Sequence, residues 1–194
     1  MRIGKLMLAI TAIALLGTGC AQQKKEATQA LSAIETSVSA LKEDGSRYAP
    51  VAYEGVASTL AMLKDNLAKG DYQSVLAGTP QLGKAVDSLK IAIEGGKQQF
   101  EAATAEWRML SADVPRMVEE IQSRVDTLSS ARRLPRNVSQ EAFDNAKSGL
   151  ESMKSLWGEA TAAFAAGKPG DASDAAREVK AKGEEVLKSL GMNS

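Results

Sequence analysis

Histidine is absent from the 194 residues, and cysteine occurs once, at Cys20. The commonest general base and the commonest metal ligand are therefore missing, and Cys20 has no disulfide partner within the chain. For nucleophilic chemistry there remains Ser39-Ala40-Leu41-Lys42, in which a lysine one helical turn from a serine is spaced to take its proton. The Ser-Asp-Asn and Lys-Thr-Gly motifs that such a pair needs do not follow, so the segment reads as the solvated side of a helix. Gly83-Lys84, Gly96-Lys97 and Gly167-Lys168 lack both the Ser or Thr and the glycine spacing of a phosphate loop. The acid pairs Glu119-Glu120 and Glu184-Glu185 point to different sides of a helix and are expected to face water. No catalytic, cofactor-binding or metal-ligating set is expected, and the chain is read as a non-enzyme.

Cys20 has a different chemistry open to it. It follows a basic start, Met1-Arg2-Ile3-Gly4-Lys5, an apolar run over residues 6–16 and the small residues Gly17-Thr18-Gly19. This is the layout of a secretory signal, and the run is well short of the roughly twenty apolar residues that span a bilayer. The small residues before a lone cysteine resemble the lipobox of bacterial lipoproteins, with Gly17 standing where leucine is usual. The resemblance implies removal of residues 1–19, diacylglycerol on the Cys20 thiol as a thioether, and a further acyl chain on the freed amine. Two or more chains hold a protein stably at a membrane, where one is marginal. With Ala21-Gln22 rather than aspartate after the cysteine, the same resemblance implies the periplasmic leaflet of the outer membrane in a Gram-negative host.

Charge excludes another class. Loss of residues 1–19 takes Arg2 and Lys5 from the 24 basic residues and nothing from the 24 acidic ones, leaving a formal charge of −2. Nucleic-acid binding calls for a basic stripe and stacking rings, and aromatics make up 4% of the chain.

The elements that would position any site are helices. Leu31, Ile34, Val38 and Leu41 step by three and four, as do Tyr53, Val56, Leu60, Leu63 and Leu67. Between these stripes, residues 43–50 read as a connection with a glycine stop and Pro50 opening the next helix. Lys69-Gly70-Asp71-Tyr72 reads as a tight turn, with Asp71 as N-cap. A third helix is expected from Tyr72 to about Ser111, kinked or restarted at Pro80, and a fourth stripe, Val118, Ile121, Val125 and Leu128, follows Pro115. Arg132-Arg133-Leu134-Pro135-Arg136 forms a turn with three arginines in five residues, suited to an anionic envelope surface or to plain solvation. The fifth helix carries Phe143, Ala146, Leu150, Met153, Trp157 and Phe164; the sixth carries Ala176, Val179, Gly183, Val186 and Leu190.

The halves repeat. Leu134-Pro135 before Phe143 matches Ala49-Pro50 before Tyr53, each aromatic is followed by apolar residues in the same register, and each half reaches a Gly-Asp turn and a last helix. The expected architecture is all-α: antiparallel helical bundles with heptad packing, two three-helix units in tandem. The expected divisions are a signal over 1–19, a lipidated tether over 20–26, and helical units over 27–112 and 113–194. Six aromatics, Tyr53, Phe100, Trp107, Phe143, Trp157 and Phe164, fall on stripes and are expected in the core, while Tyr48 and Tyr72 are expected to staple turns.

Tyr48-Ala49-Pro50 ahead of a helix and Gly70-Asp71-Tyr72 at the next turn, behind such a signal, resemble the small helical envelope lipoproteins catalogued as a domain of unknown function. The likeness covers residues 26–90 and implies fold and location but no activity. Gly70-Asp71-Tyr72 also resembles the turn of a tetratricopeptide repeat, without its thirty-four-residue period. The function expected is a lipid-anchored helical binding or scaffold module for another envelope protein, held to the membrane through Cys20. The alternative is a carrier of a small apolar ligand or lipid between helices, with Gly96 and Gly183 leaving room for it.

Overall fold

Stripes spaced by three and four produce helices throughout. The structure, a computed structural model, describes the backbone of residues 14–192 and the side chains of 21–192. Most of the expected signal over 1–19, and the Cys20 side chain, lie outside the described residues. Among the described residues there are six helices and no strands: α1 Ala14–Ala40, α2 Lys42–Tyr48, α3 Pro50–Ala68, α4 Tyr72–Ser130, α5 Gln140–Ala165 and α6 Pro169–Ser189. The fold is an all-α helical bundle.

The chain forms two compact units that divide between Lys97 and Gln98, inside α4. The first is built from α1, α2, α3 and the start of α4, around Leu31, Val38, Leu60, Leu63, Val75, Leu82 and Leu89. The second is built from the rest of α4 with α5 and α6, around Val114, Ile121, Leu150, Met153, Val179 and Leu190. The expected boundary at 112/113 also falls within α4.

Local chemistry sets the helix ends. Gly70, Gly167 and Gly191 have φ of 80°, 75° and 69°, the left-handed region that only glycine enters without penalty. Each closes a Schellman turn: at the first, the Gly70 amide donates to Leu67 and the Asp71 amide to Asn66, and the other two repeat the pattern. Pro50 and Pro169 stand in the first turns of α3 and α6, where a missing N–H costs no hydrogen bond. Ser139 caps α5 by accepting from the Ala142 amide at 3.1 Å, and Asp71 caps α4 by accepting from the Ser74 amide at 3.1 Å.

Three expectations are corrected. Residues 43–50 are mostly the short helix α2, not an open connection. Gly45 is a buried position inside that helix, where a Cβ would come within 2.7 Å of the Tyr53 ring, so close packing rather than a turn requires glycine. The third and fourth helices are one: α4 runs for 59 residues through Pro80, Gly95-Gly96 and Pro115. A proline inside a helix costs roughly 3 kcal/mol. Fully buried Val75 and Leu82 flank the first and Val114 and Ile121 the second, and burying such side chains returns roughly 1.5–3 kcal/mol apiece. The packing on both sides therefore carries the helix across each proline. Finally, residues 20–26 are helical, because α1 already begins at Ala14.

Positions matched between the two halves are also alike in burial. Tyr53, Val56, Leu60, Leu63 and Leu67 of α3 correspond, ninety residues on, to Phe143, Ala146, Leu150, Met153 and Trp157 of α5, and the inner three of each set are buried. Val75, Leu82, Val86, Leu89 and Ile93 of α4 correspond to Ala172, Val179, Gly183, Val186 and Leu190 of α6, and all ten are buried. The stripe Leu31, Ile34 and Val38 of α1, with Leu41 just after it, is spaced as Val118, Ile121, Val125 and Leu128 are in α4. Helix α5 has 26 residues against 19 in α3, one extra heptad, which leaves the register intact.

Candidate functional site

The expected lipidation residue, Cys20, lies within the backbone span of α1. The six side chains after it, Ala21-Gln22-Gln23-Lys24-Lys25-Glu26, are all exposed, and burial begins abruptly at Ala27, which is 0% accessible. At 1.5 Å per residue this stretch is a helical spacer on the order of 10 Å long, about half its extended reach. Gln22 donates to Glu26 at 2.7 Å, one turn apart, which favours the helical form.

In the first unit the densest polar cluster joins α2 to α4. Lys97 donates to Asp44 at 2.7 Å, and its ammonium stands 5.7 Å from the centre of the Tyr48 ring; the Arg47 guanidinium lies 5.2 Å from the same ring. The hydrogen bond from Lys97 to Asp44 raises the lysine above its ordinary range, against the opposing effect of desolvation. Gly96 admits the contact: a Cβ there would stand 2.8 Å from the Tyr48 carbonyl carbon and closer still to its oxygen. Tyr48 thus holds the end of α2 against α4 through its backbone and the cations over its ring. The sequence carries no local sign of the Asp44–Lys97 pair, whose members lie 53 positions apart.

In the second unit three aromatics stack. The Trp107 ring lies 5.3 Å from Trp157 at 14° and 5.0 Å from Phe164 at 16°. Trp157 and Phe164 are two turns apart on α5, and the extra heptad of that helix supplies Phe164. Ser173 is 1% accessible yet satisfied, donating to the Ala103 carbonyl at 2.9 Å and so tying α6 to α4. The Arg124 Nε is buried without a hydrogen-bond partner among the described residues.

The motifs weighed for chemistry are dispersed. Ser39 and Lys42 are exposed on either side of the α1–α2 junction, and both acid pairs, Glu119-Glu120 and Glu184-Glu185, are exposed. Among the described residues no group of three or more His, Cys, Asp or Glu could hold a metal ion, and no helix is long and apolar enough to cross a membrane. Two of the surface grooves hold polar groups that pair with one another. In a groove of about 490 Å³ between α4 and α5, Lys154 donates to Gln122 at 2.7 Å, and in one of about 350 Å³ between α1 and α3, Lys64 pairs with Glu35 at 2.6 Å. The room expected beside the two core glycines is filled. The Tyr48 backbone lies against Gly96, while the Met117 sulfur and the Met153 methyl close on Gly183.

These features define an all-α protein of two units that share one long helix. Comparison with protein-family models, curated proteins and solved structures gives no match.

Proposed function

We propose that this chain is a lipid-anchored, non-enzymatic helical module of the bacterial envelope, tethered through Cys20 in the periplasmic leaflet of the outer membrane, and that it presents its helices to another envelope protein. The observation that carries the reading is the order of residues up to Cys20: a basic start, a short apolar run, then Gly17-Thr18-Gly19 before the lone cysteine. The stretch after it supports the reading, since six exposed, mostly polar side chains separate Cys20 from the first buried residue, Ala27. A bundle joined to a lipid needs such a solvated spacer, so that its core is not drawn into the headgroups.

Replacing Cys20 by Ala tests the anchor. The variant should move from the membrane fraction to the soluble periplasmic fraction; unchanged membrane fractionation refutes the anchor. Crosslinking of the wild type in intact cells, read by mass spectrometry, should return a reproducible envelope partner, and a protein that crosslinks to nothing refutes the scaffold role.

A further inference from the structure

The turn between α4 and α5 presents a cluster of exposed arginines. Leu134 packs against the core of the second unit and Val138 is 4% accessible, so two apolar side chains pin the turn from below. The Val138 amide donates to the Pro135 carbonyl at 3.0 Å, and Ser139 caps the helix that follows. Arg132, Arg133 and Arg136 alternate with these anchors and are all exposed. Among the described residues none of the three makes a side-chain hydrogen bond or ion pair. Elsewhere in the same unit Lys154 and Arg177 do pair, with Glu151 and with Asp174 and Glu106.

No acid lies between Asp126 and Glu141, so this stretch carries three positive charges and no negative one in a chain whose charges balance overall. Gly191 approaches the Asn137 side chain, which brings the end of α6 and its exposed last-turn Lys188 beside the turn.

We infer that this turn docks on a bilayer surface rich in anionic phospholipid. Guanidinium forks match phosphate oxygens bidentately. The cluster is an exposed turn rather than a pocket, and the neighbouring groove between α5 and α6 includes Glu141 and Glu185, so a planar array of headgroups fits better than one enclosed anion. A polyanion such as nucleic acid fits less well, since the turn has no aromatic residue and the chain has no net charge to steer it. Each arginine near an anionic membrane favours binding roughly five-fold, so the three together give about a hundred-fold. The inference rests on the membrane-tethered reading for where such a surface is met, but its test does not.

The full chain is compared with Arg132→Gln/Arg133→Gln/Arg136→Gln in sedimentation with two kinds of vesicle, phosphatidylcholine alone and equal parts phosphatidylcholine and phosphatidylglycerol. The triple variant should lose about a hundred-fold in partitioning to the anionic vesicles and nothing on the neutral ones. The triple Arg→Lys variant should keep most of the binding. If circular dichroism shows the triple Gln variant misfolded, the three single variants replace it, each expected to lose about five-fold. Equal binding of wild type and Gln variant to anionic vesicles overturns the proposal, as does an equal loss on both vesicle types. A defect confined to binding of DNA or heparin overturns it in favour of a polyanion site. Every variant keeps the same residues 1–20, so failure here leaves the Cys20 anchor standing, and a failed anchor leaves this comparison unaffected.

Discussion

The carbonyl of Tyr48 occupies the place where a side chain on Gly96 would begin. The obstacle is backbone, which cannot swing aside as a long side chain does. Gly95, its neighbour, has nothing within 4 Å of the same position. The two glycines should therefore respond oppositely to alanine. Gly95→Ala should stabilise the first unit by roughly 0.5–1 kcal/mol through helix propensity. Gly96→Ala should destabilise it by about 2 kcal/mol, since overpacking near the upper end of its usual range outweighs that gain. Urea unfolding followed through tyrosine fluorescence reads both, because Tyr48, Tyr53 and Tyr72 all belong to the first unit; equal shifts would contradict the contact.

Both tryptophans belong to the second unit. Trp107→Ala removes the ring that Trp157 and Phe164 share and should cost that unit about 3–5 kcal/mol. Trp157, left as the single emitter, should shift to the red as its stacked face is wetted. A midpoint moved by less than 1 kcal/mol, on the ordinary scale for surface changes, would show that the stack contributes little.

Gly183 distinguishes a packed core from a ligand cavity. Gly183→Ala brings a methyl against the Met117 sulfur and the Met153 methyl and should cost about 1–3 kcal/mol. Both neighbours are flexible, so Met117→Ala in the same chain should recover part of the loss, a coupling that a double-mutant cycle measures. An additive pair would place empty space, not methionine, opposite the glycine.

Asp71 makes the first unit acid-sensitive at one defined place. Hydrogen bonds from Ser74 hold its carboxyl below the ordinary aspartate value. A lowered folded-state pKa means stabilisation that is fully present above the unfolded value, about 3.9, and is lost as pH falls through it toward the folded one. Asn caps helices about as well as Asp but does not titrate. Wild type should therefore lose stability relative to Asp71→Asn as pH drops from about 5 to about 3. Parallel pH profiles for the two proteins would show that the cap does not depend on its charge.

The stripes were legible because a period of 3.6 is written along one segment and needs no knowledge of the rest of the chain. Leu31, Leu60, Leu82, Ile121, Leu150 and Val179 are all buried as their spacing requires. The left-handed stops at Gly70 and Gly167 were legible for the same local reason. Gly45 and Gly96 were not, for glycine marks both a helix end and a close approach, and only the Tyr53 ring and the Tyr48 carbonyl tell which. Pro80 and Pro115 misled in the same way: their cost is local, whereas the burial of Val75, Leu82, Val114 and Ile121 that offsets it depends on other helices. At the candidate sites, the arginine turn could be read in sequence, while the Lys97–Asp44 and Ser173–Ala103 bonds join positions 53 and 70 apart that no local pattern connects.

Helix α4 closes the first unit and opens the second, so one helix lines two cores. Helix α6 corresponds in burial to the first part of α4, but it ends at the Gly191 turn where α4 runs on. Helices adjacent in sequence pack together, α2 on α3 and α5 on α6, and contacts of that local kind keep chain closure cheap and folding fast.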